Sequence, residues 1–267
     1  MTQLKQALAL CALAAAATAQ AADWSDTSIG LRYGTRFAEP AISDPIAKKI
    51  VNFTHISGDK LGTNLVIGDV LASNEKDPAA GGGGGAQEFY GFFQRTFSGN
   101  ALSGSKGFGP LKDISLVARF DLSAKDTKFA PRVRKQRYGV SFAMPVPAGF
   151  WDVGVQSYKE SNHNGIVGRD VDFKLTSALA SAWAIPLGAG VSFEGFLDVI
   201  GAKGKDGFGN ETKSELLTRW TLMYKVGTSG VKAGVGIEYW KNKFGNDSAT
   251  TAGAKQTTPM LLAQYSF

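Results

Sequence analysis

The chain has 267 residues, 43% of them hydrophobic and only 19% charged, with 33 glycines and a formal charge of +6. That charge content is low for a water-facing surface, where roughly a quarter of residues are charged, while the apolar content is too high for a disordered chain and the glycines too scattered for a collagen repeat. The modest, dispersed positive charge offers no groove or tail for nucleic acid, and past the N-terminal region no stretch holds the 18 or more consecutive apolar residues of a transmembrane helix.

In chain order, the first unit is residues 1–21. Met1 to Gln6 carries one positive charge, Lys5; Ala7 to Ala19 is a short apolar run; Ala19-Gln20-Ala21 fits a small-x-small cleavage site. This reads as a secretory signal peptide, to be set aside from the fold. Cys11, the only cysteine, lies within it, and Leu10 before it is unlike the small residue of a lipoprotein cleavage site, so no lipid anchor is expected. The remaining 22–267 is expected to form one domain, with no disulfide, no catalytic thiolate and no Cys-bound metal. Its charge falls to +5, because only Lys5 leaves with the signal.

From residue 25 onward, period-two alternation recurs and helical periodicity does not. In Val191 to Val199, Val, Phe, Gly, Leu and Val alternate with Ser192, Glu194, Phe196 and Asp198; 231–239 and 113–122 read the same way. The pattern predicts about twelve strands, over 25–37, 50–57, 60–72, 86–98, 111–123, 134–145, 149–160, 169–184, 189–201, 212–226, 230–242 and 256–267. Short turns are expected at 57–60, 145–148, 185–188 and 227–230. Long polar loops are expected at 38–49, 73–85, 124–133, 161–168, 202–211 and 243–255, and 99–110 is a long segment where a short turn belongs. The run Gly81 to Gly85 lies in the second long loop and lacks the Lys-Ser/Thr pair of a phosphate-binding loop, so it reads as a mobile external loop. The chain ends with Leu261, Ala263, Tyr265 and Phe267 on one strand face.

Short turns at one end and long loops at the other describe an all-β protein, a transmembrane antiparallel β-barrel of about twelve strands. A sheet in hydrocarbon tolerates no unpaired edge and must close on itself. One strand face then meets lipid and the other a lumen, which explains a moderate hydropathy in an integral membrane protein. Tyr33, Tyr138, Trp151, Trp183, Tyr224 and Tyr239 are candidates for interfacial girdles. Alternation places Arg32, Arg36, Arg119, Asp121, Arg137, Asp152, Tyr158, Glu160, Asp172, Lys174, Glu194, Phe196, Asp198, Glu215, Arg219, Lys232, Glu238 and Trp240 on the inner face. Within that set, Arg32, Arg119, Tyr158, Glu194, Phe196, Asp198, Arg219, Glu238 and Trp240 are candidate solute-binding residues. Aromatic faces beside carboxylates and guanidinium groups suit a flat, hydrogen-bonding, neutral solute, whereas ion selectivity calls for rings of one sign. The two histidines after the signal, His55 and His163, sit in turn-like or strand-end stretches without metal-ligand spacing. No enzyme, cofactor or metal is expected.

Several stretches together resemble the nucleoside-specific channel-forming, Tsx-like family of outer-membrane proteins, on the side of its OmpK-type members. They include Asp26 to Thr35, Asn52 to Gly58 with Gly62-Thr63-Asn64, Gly85 to Gly91, Glu194 to Gly201, Gly204 to Lys213, Glu238 to Asn246 and Thr257 to Leu261. The resemblance implies a monomeric twelve-stranded barrel in the bacterial outer membrane, in contact with lipid bilayer and lipopolysaccharide. It implies passive passage of nucleosides or similar small polar solutes, and use of the surface loops by phages or colicins. The alternatives are a surface adhesin or structural barrel with an occluded lumen, a general porin, and a lipid-acting barrel enzyme.

Overall fold

The computed structural model describes residues 22–267; the signal-peptide reading of 1–21 lies outside the described residues. The strands are β1 (Trp24–Phe37), β2 (Ile46–Asp59), β3 (Gly62–Ser73), β4 (Gln87–Ser98), β5 (Asp113–Lys125), β6 (Arg132–Ala143), β7 (Phe150–Asn164), β8 (Arg169–Asp172), β9 (Thr176–Gly188), β10 (Val191–Ile200), β11 (Glu215–Lys225), β12 (Val231–Lys241) and β13 (Lys255–Ser266). Every neighbouring pair is antiparallel, β1 pairs with β13, and β6 pairs with β7. Both seams are therefore joined and the sheet is a closed barrel. β8 and β9 form one position in the wall, because β7 pairs with β9 along its lower part and with β8 at its tip. The wall thus has twelve positions, as alternation requires.

The connections sort by length. At one end lie Lys60-Leu61, 144–149, Ala189-Gly190 and 226–230, together with Trp24 and Ser266 at the outer ends of β1 and β13. The long 99–112 segment at that end is occupied by a single turn of helix, α1 (Gly99–Ser103), capped by the Ser98 hydroxyl accepting from the Ala101 amide. The other end carries 38–45, 74–86, 126–131, 165–168, 201–214 and 242–254. Several boundaries differ from the alternation reading; β2, expected from 50, already starts at Ile46. The 57–60 and 185–188 turns fall later, at 60–61 and 189–190. Pro186 stays within β9, opposite Ser192 and beside a register shift at Val191/Ser192, where a missing amide donor is tolerated. The first half of the expected 161–168 loop is strand, since β7 runs on to Asn164 and folds back on β8. In the glycine run, only Gly85 is confined by close approach: a Cβ there would lie 1.9 Å from the Ser73 carbonyl, whereas Gly81 to Gly84 face open space.

Burial is inverted relative to a water-soluble sheet. Leu31, Leu116, Val155, Trp220, Val235 and Leu261 stand exposed on the outer wall, Leu261 at 63%, while Asp121, Arg137, Glu160, Glu215 and Glu238 are buried inside. An apolar belt of this extent in water would aggregate; against hydrocarbon it is the favourable surface. The barrel is an integral outer-membrane structure, each wall position hydrogen-bonded to a neighbour on both sides, as a bilayer demands. Of the expected girdle residues, Tyr33, Tyr138, Trp151 and Tyr224 are exposed on this wall. Trp183 and Tyr239 are partly covered.

A lumen layered from plug to vestibule

At the loop end a loop turns inward. Between Gly34 and Phe37, β1 spends three residue steps where β2 spends two, from Lys48 to Ile46. This β-bulge reverses the alternation. Phe37 therefore points inside and packs with Ile46, Ile50 and Met260, and Arg36, expected in the lumen, is exposed on the outside. The next residues, 38–45, start over the lumen, and Glu39 is drawn into a buried cage of lysines. Its carboxylate lies 2.6 Å from Lys48 Nζ on β2, 3.2 Å from Lys243 Nζ in the 242–254 loop and 3.3 Å from Lys125 Nζ on β5. Lys125 also reaches Asp77 at 2.8 Å, and Lys243 donates to the Ala38 carbonyl and covers the Trp240 ring. Burial alone would raise the Glu39 pKa, but Lys243, Lys48 and Lys125 together outweigh it and hold the carboxyl well below its ordinary range.

The waist is lined by pairs of aromatic rings and cations. Arg119 stacks on Phe92, 3.6 Å from the ring centre, and donates to Asp121 and to the Tyr90 hydroxyl. Tyr90 in turn donates to Asp121 at 2.7 Å. Arg219 lies over Phe196 at 5.1 Å and donates twice to Glu238, whose second oxygen accepts from Gln256. Phe196, Arg219, Glu238 and Thr258 are opposite one another on β10 to β13, so this row is set by strand register. Arg137 on β6 lies over Tyr158 and reaches Asp198 on β10 at 2.8 Å, three wall positions away. Tyr158 donates to Glu160, which Lys203 approaches at 2.6 Å; Arg32 pairs with Asp69; and Trp240 donates to Glu215. Two guanidinium groups are only partly satisfied: Arg32 Nε and Arg137 Nε have no partner among the described residues.

On β7, β9 and β12 the inner side chains shrink toward the turn end. The inward positions of β9 are Ala178, Ala180, Ala182 and Ala184, facing Gly154 and Asp152 on β7, and β12 contributes Gly234 and Gly236. The inward charge pair there, Glu194 and Lys232 at 2.7 Å, is markedly more solvent-accessible than Arg137 with Asp198. On β7 to β12 the inner face is therefore lined by smaller and wetter groups toward the turn end than at the waist.

All nine candidate residues face inward, and all except Phe196 and Trp240 carry an ionic or hydroxyl contact to a neighbour's carboxylate, ammonium or guanidinium group. Asp172 and Lys174, expected inside, are exposed. From Tyr158 to Ser161 β7 advances three residues while its partner goes four, from Thr176 back to Asp172. That extra residue turns Asp172 to the outer wall, and Lys174 lies along Gly204 of the 201–214 loop. Alternation missed Glu39, Lys48, Asp69, Lys125, Lys203, Lys243 and Gln256. Asp69 and Lys48 had a usable signal, a charge at a single inward position between apolar ones in Ile67-x-Asp69-x-Leu71 and Ile46-x-Lys48-x-Ile50. The loop residues had none. His55 bonds Thr27 on the outer-facing register and His163 bonds Asp170 in the β7–β8 hairpin, so neither enters the lumen. No group of three or more potential metal ligands occurs among the described residues.

No family model matches the chain, and no characterised protein matches it by sequence. Among solved structures it is similar to the KdgM porin in complex with disordered oligogalacturonate, with 11% identity, a TM-score of 0.49 and coverage of 90% of this chain and 99% of that one. It is also similar to the translocator domain of the autotransporter NalP from Neisseria meningitidis, at 11% identity and a TM-score of 0.45, covering 100% and 98%. A third is outer-membrane expressed OmpT of Vibrio cholerae, at 9% identity and a TM-score of 0.39, covering 92% and 97%.

Proposed function

We propose that the protein is a selective outer-membrane channel for small, flat, polar solutes, of which nucleosides are the leading class. The observation that carries this reading is the waist. Two partly exposed aromatic rings, Phe92 and Phe196, each lie against an arginine, and each of those arginines is held by a carboxylate, Asp121 or Glu238. Rings stack with planar bases, and guanidinium and carboxylate edges bond to ring heteroatoms and sugar hydroxyls. The mixed, pairwise-neutral charge disfavours a simple ion filter. The resemblance to nucleoside channels points the same way. In proteoliposomes, nucleosides are expected to enter faster than sugars of similar size, and Phe196→Ala is expected to erase that preference while leaving the barrel folded. Equal rates for the two classes in the wild-type protein would sink the reading.

The Glu39 cage favours a second reading, an occluded barrel whose external loops are the working part. Zero conductance in planar bilayers for both wild type and a Glu39 variant, with phage or colicin binding to cells retained, would select it over the channel.

A further inference from the structure

The outer wall differs sharply between its two ends. On β12, β13, β1 and β2 the outward positions just below the loop rim are Lys241, Lys255, Arg36 and Lys49, and neighbouring β11 is preceded by the loop residue Lys213, all exposed. They occupy neighbouring places in the wall, and Lys241 and Lys255 are directly opposite each other in register. Only Lys213 has an acidic partner among the described residues, Asp247 at 3.5 Å. Like charges directly opposite across a strand pair repel, so the arrangement invites an external anion. Below the row, the same strands present Ile237, Val235, Leu261, Tyr33, Leu31 and Val51 to lipid. At the turn end their outward residues are Tyr224 and Tyr265, aromatic and uncharged. Elsewhere on the rim the outward cations share their wall with acids. Arg134 and Asp172 are both paired to Ser161, and Lys159 meets Asp172 at 2.9 Å.

We infer that this five-strand face is a binding site for a phosphorylated glycolipid of the outer leaflet, lipopolysaccharide, with its phosphates on Lys241, Lys255, Arg36 and Lys49 and its acyl chains on the apolar wall beneath. Charge and shape of the surface agree: an unbalanced cationic row stands over an apolar slope on the loop-bearing side alone. A cation near a charged membrane surface contributes an attraction of about 1 kcal/mol, or roughly fivefold in affinity. Lys213 is already engaged by Asp247 and adds less.

The test uses the full chain purified in a neutral detergent, with bisphosphorylated lipid A titrated in mixed micelles and retained copies counted by native mass spectrometry. The wild type is expected to retain the bisphosphorylated lipid, and dephosphorylated lipid A is expected to bind at least tenfold more weakly. K241Q/K255Q and, separately, R36Q/K49Q are each expected to weaken retention about 25-fold; heat-modifiable mobility on gels reports folding, and each pair covers for the other if one fails to fold. Lys60→Gln, at the turn end, is expected to leave retention unchanged. Equal retention of dephosphorylated lipid A overturns the proposal, as does unchanged retention in both folded double variants. Inorganic phosphate competing as effectively as the lipid would overturn the assignment to a lipid. None of these readouts depends on solute flux, so the site stands or falls apart from the channel reading.

Discussion

At the loop end of the lumen, Glu39, Lys48, Lys125, Asp77 and Lys243 converge from five separate segments into a buried ionic cage, whereas at the turn end the same wall offers Ala180, Ala182, Ala184, Gly234 and Gly236 around one half-wet pair, Glu194 and Lys232. Both regions are polar and both are built by alternating strands. They differ in what happens when a partner is removed. A buried charge stripped of its partner retains its desolvation cost, while an accessible one is rescued by water. The barrel is accordingly braced above and permissive below.

Removing the anion at the centre of the cage has the largest expected effect. Glu39→Ala leaves three ammonium groups crowded and is expected to cost about 3–5 kcal/mol, read as a lowered urea midpoint for unfolding from detergent or bilayer. In surviving folded protein it releases the 38–45 loop, and single-channel conductance is expected to rise severalfold. A lowered urea midpoint without any conductance change would show that the cage braces the barrel but does not limit flow.

The pH dependence of the cage follows from the depressed Glu39 pKa. Because the folded value lies below the unfolded one, the stabilisation is fully present above the unfolded pKa of about 4.3 and is lost only as pH falls through the lower folded value. Conductance is expected to stay flat from neutral pH to about 5. Opening of the mouth near neutral pH would contradict this assignment.

Next in size is Arg137→Ala, which leaves Asp198 unpaired at the waist and is expected to cost about 3 kcal/mol. The paired change R137M/D198L is expected to recover most of that loss, since a matched apolar pair leaves no orphaned charge. At the turn end, Glu194→Gln should cost less than about 1 kcal/mol, given a pair that water can reach. Gly81→Ala with Gly84→Ala comes last, within about 0.5 kcal/mol, because nothing lies near either Cβ position. Thermal unfolding of all four in one detergent orders them, and a turn-end change exceeding the Arg137 effect would break the contrast.

Much of this molecule was legible from period-two alternation. Strands such as β10 and β12 declare both faces, because a side chain in a strand has only two directions and one of them meets lipid. The inward direction of Arg119, Phe196, Arg219 and Glu238 followed from that, and so did the twelve wall positions. Alternation failed at two insertions of a single residue. One extra residue in β1 moved Arg36 out and Phe37 in, and one beside β8 moved Asp172 out. A bulge reverses every side chain beyond it without altering the composition that a reader sees.

The candidate site was half legible for a different reason. Phe196, Arg219 and Glu238 meet because their strands are adjacent and their register is short-range. Glu39 and Lys243 are 204 residues apart, and Arg137 and Asp198 are 61 apart and on non-adjacent strands.

By itself, the sequence determined the all-β class, the alternation of lipid-facing and inward residues, the sorting of short turns from long loops, and the low charge count of a surface built for hydrocarbon. Only the tertiary structure decided which inward charges neutralise one another, that the loop after β1 folds into the mouth, and that four outward cations form one row. Alternation is a property of consecutive residues, whereas those three outcomes depend on closure of the barrel, which brings chemically unrelated stretches of chain within a few ångströms.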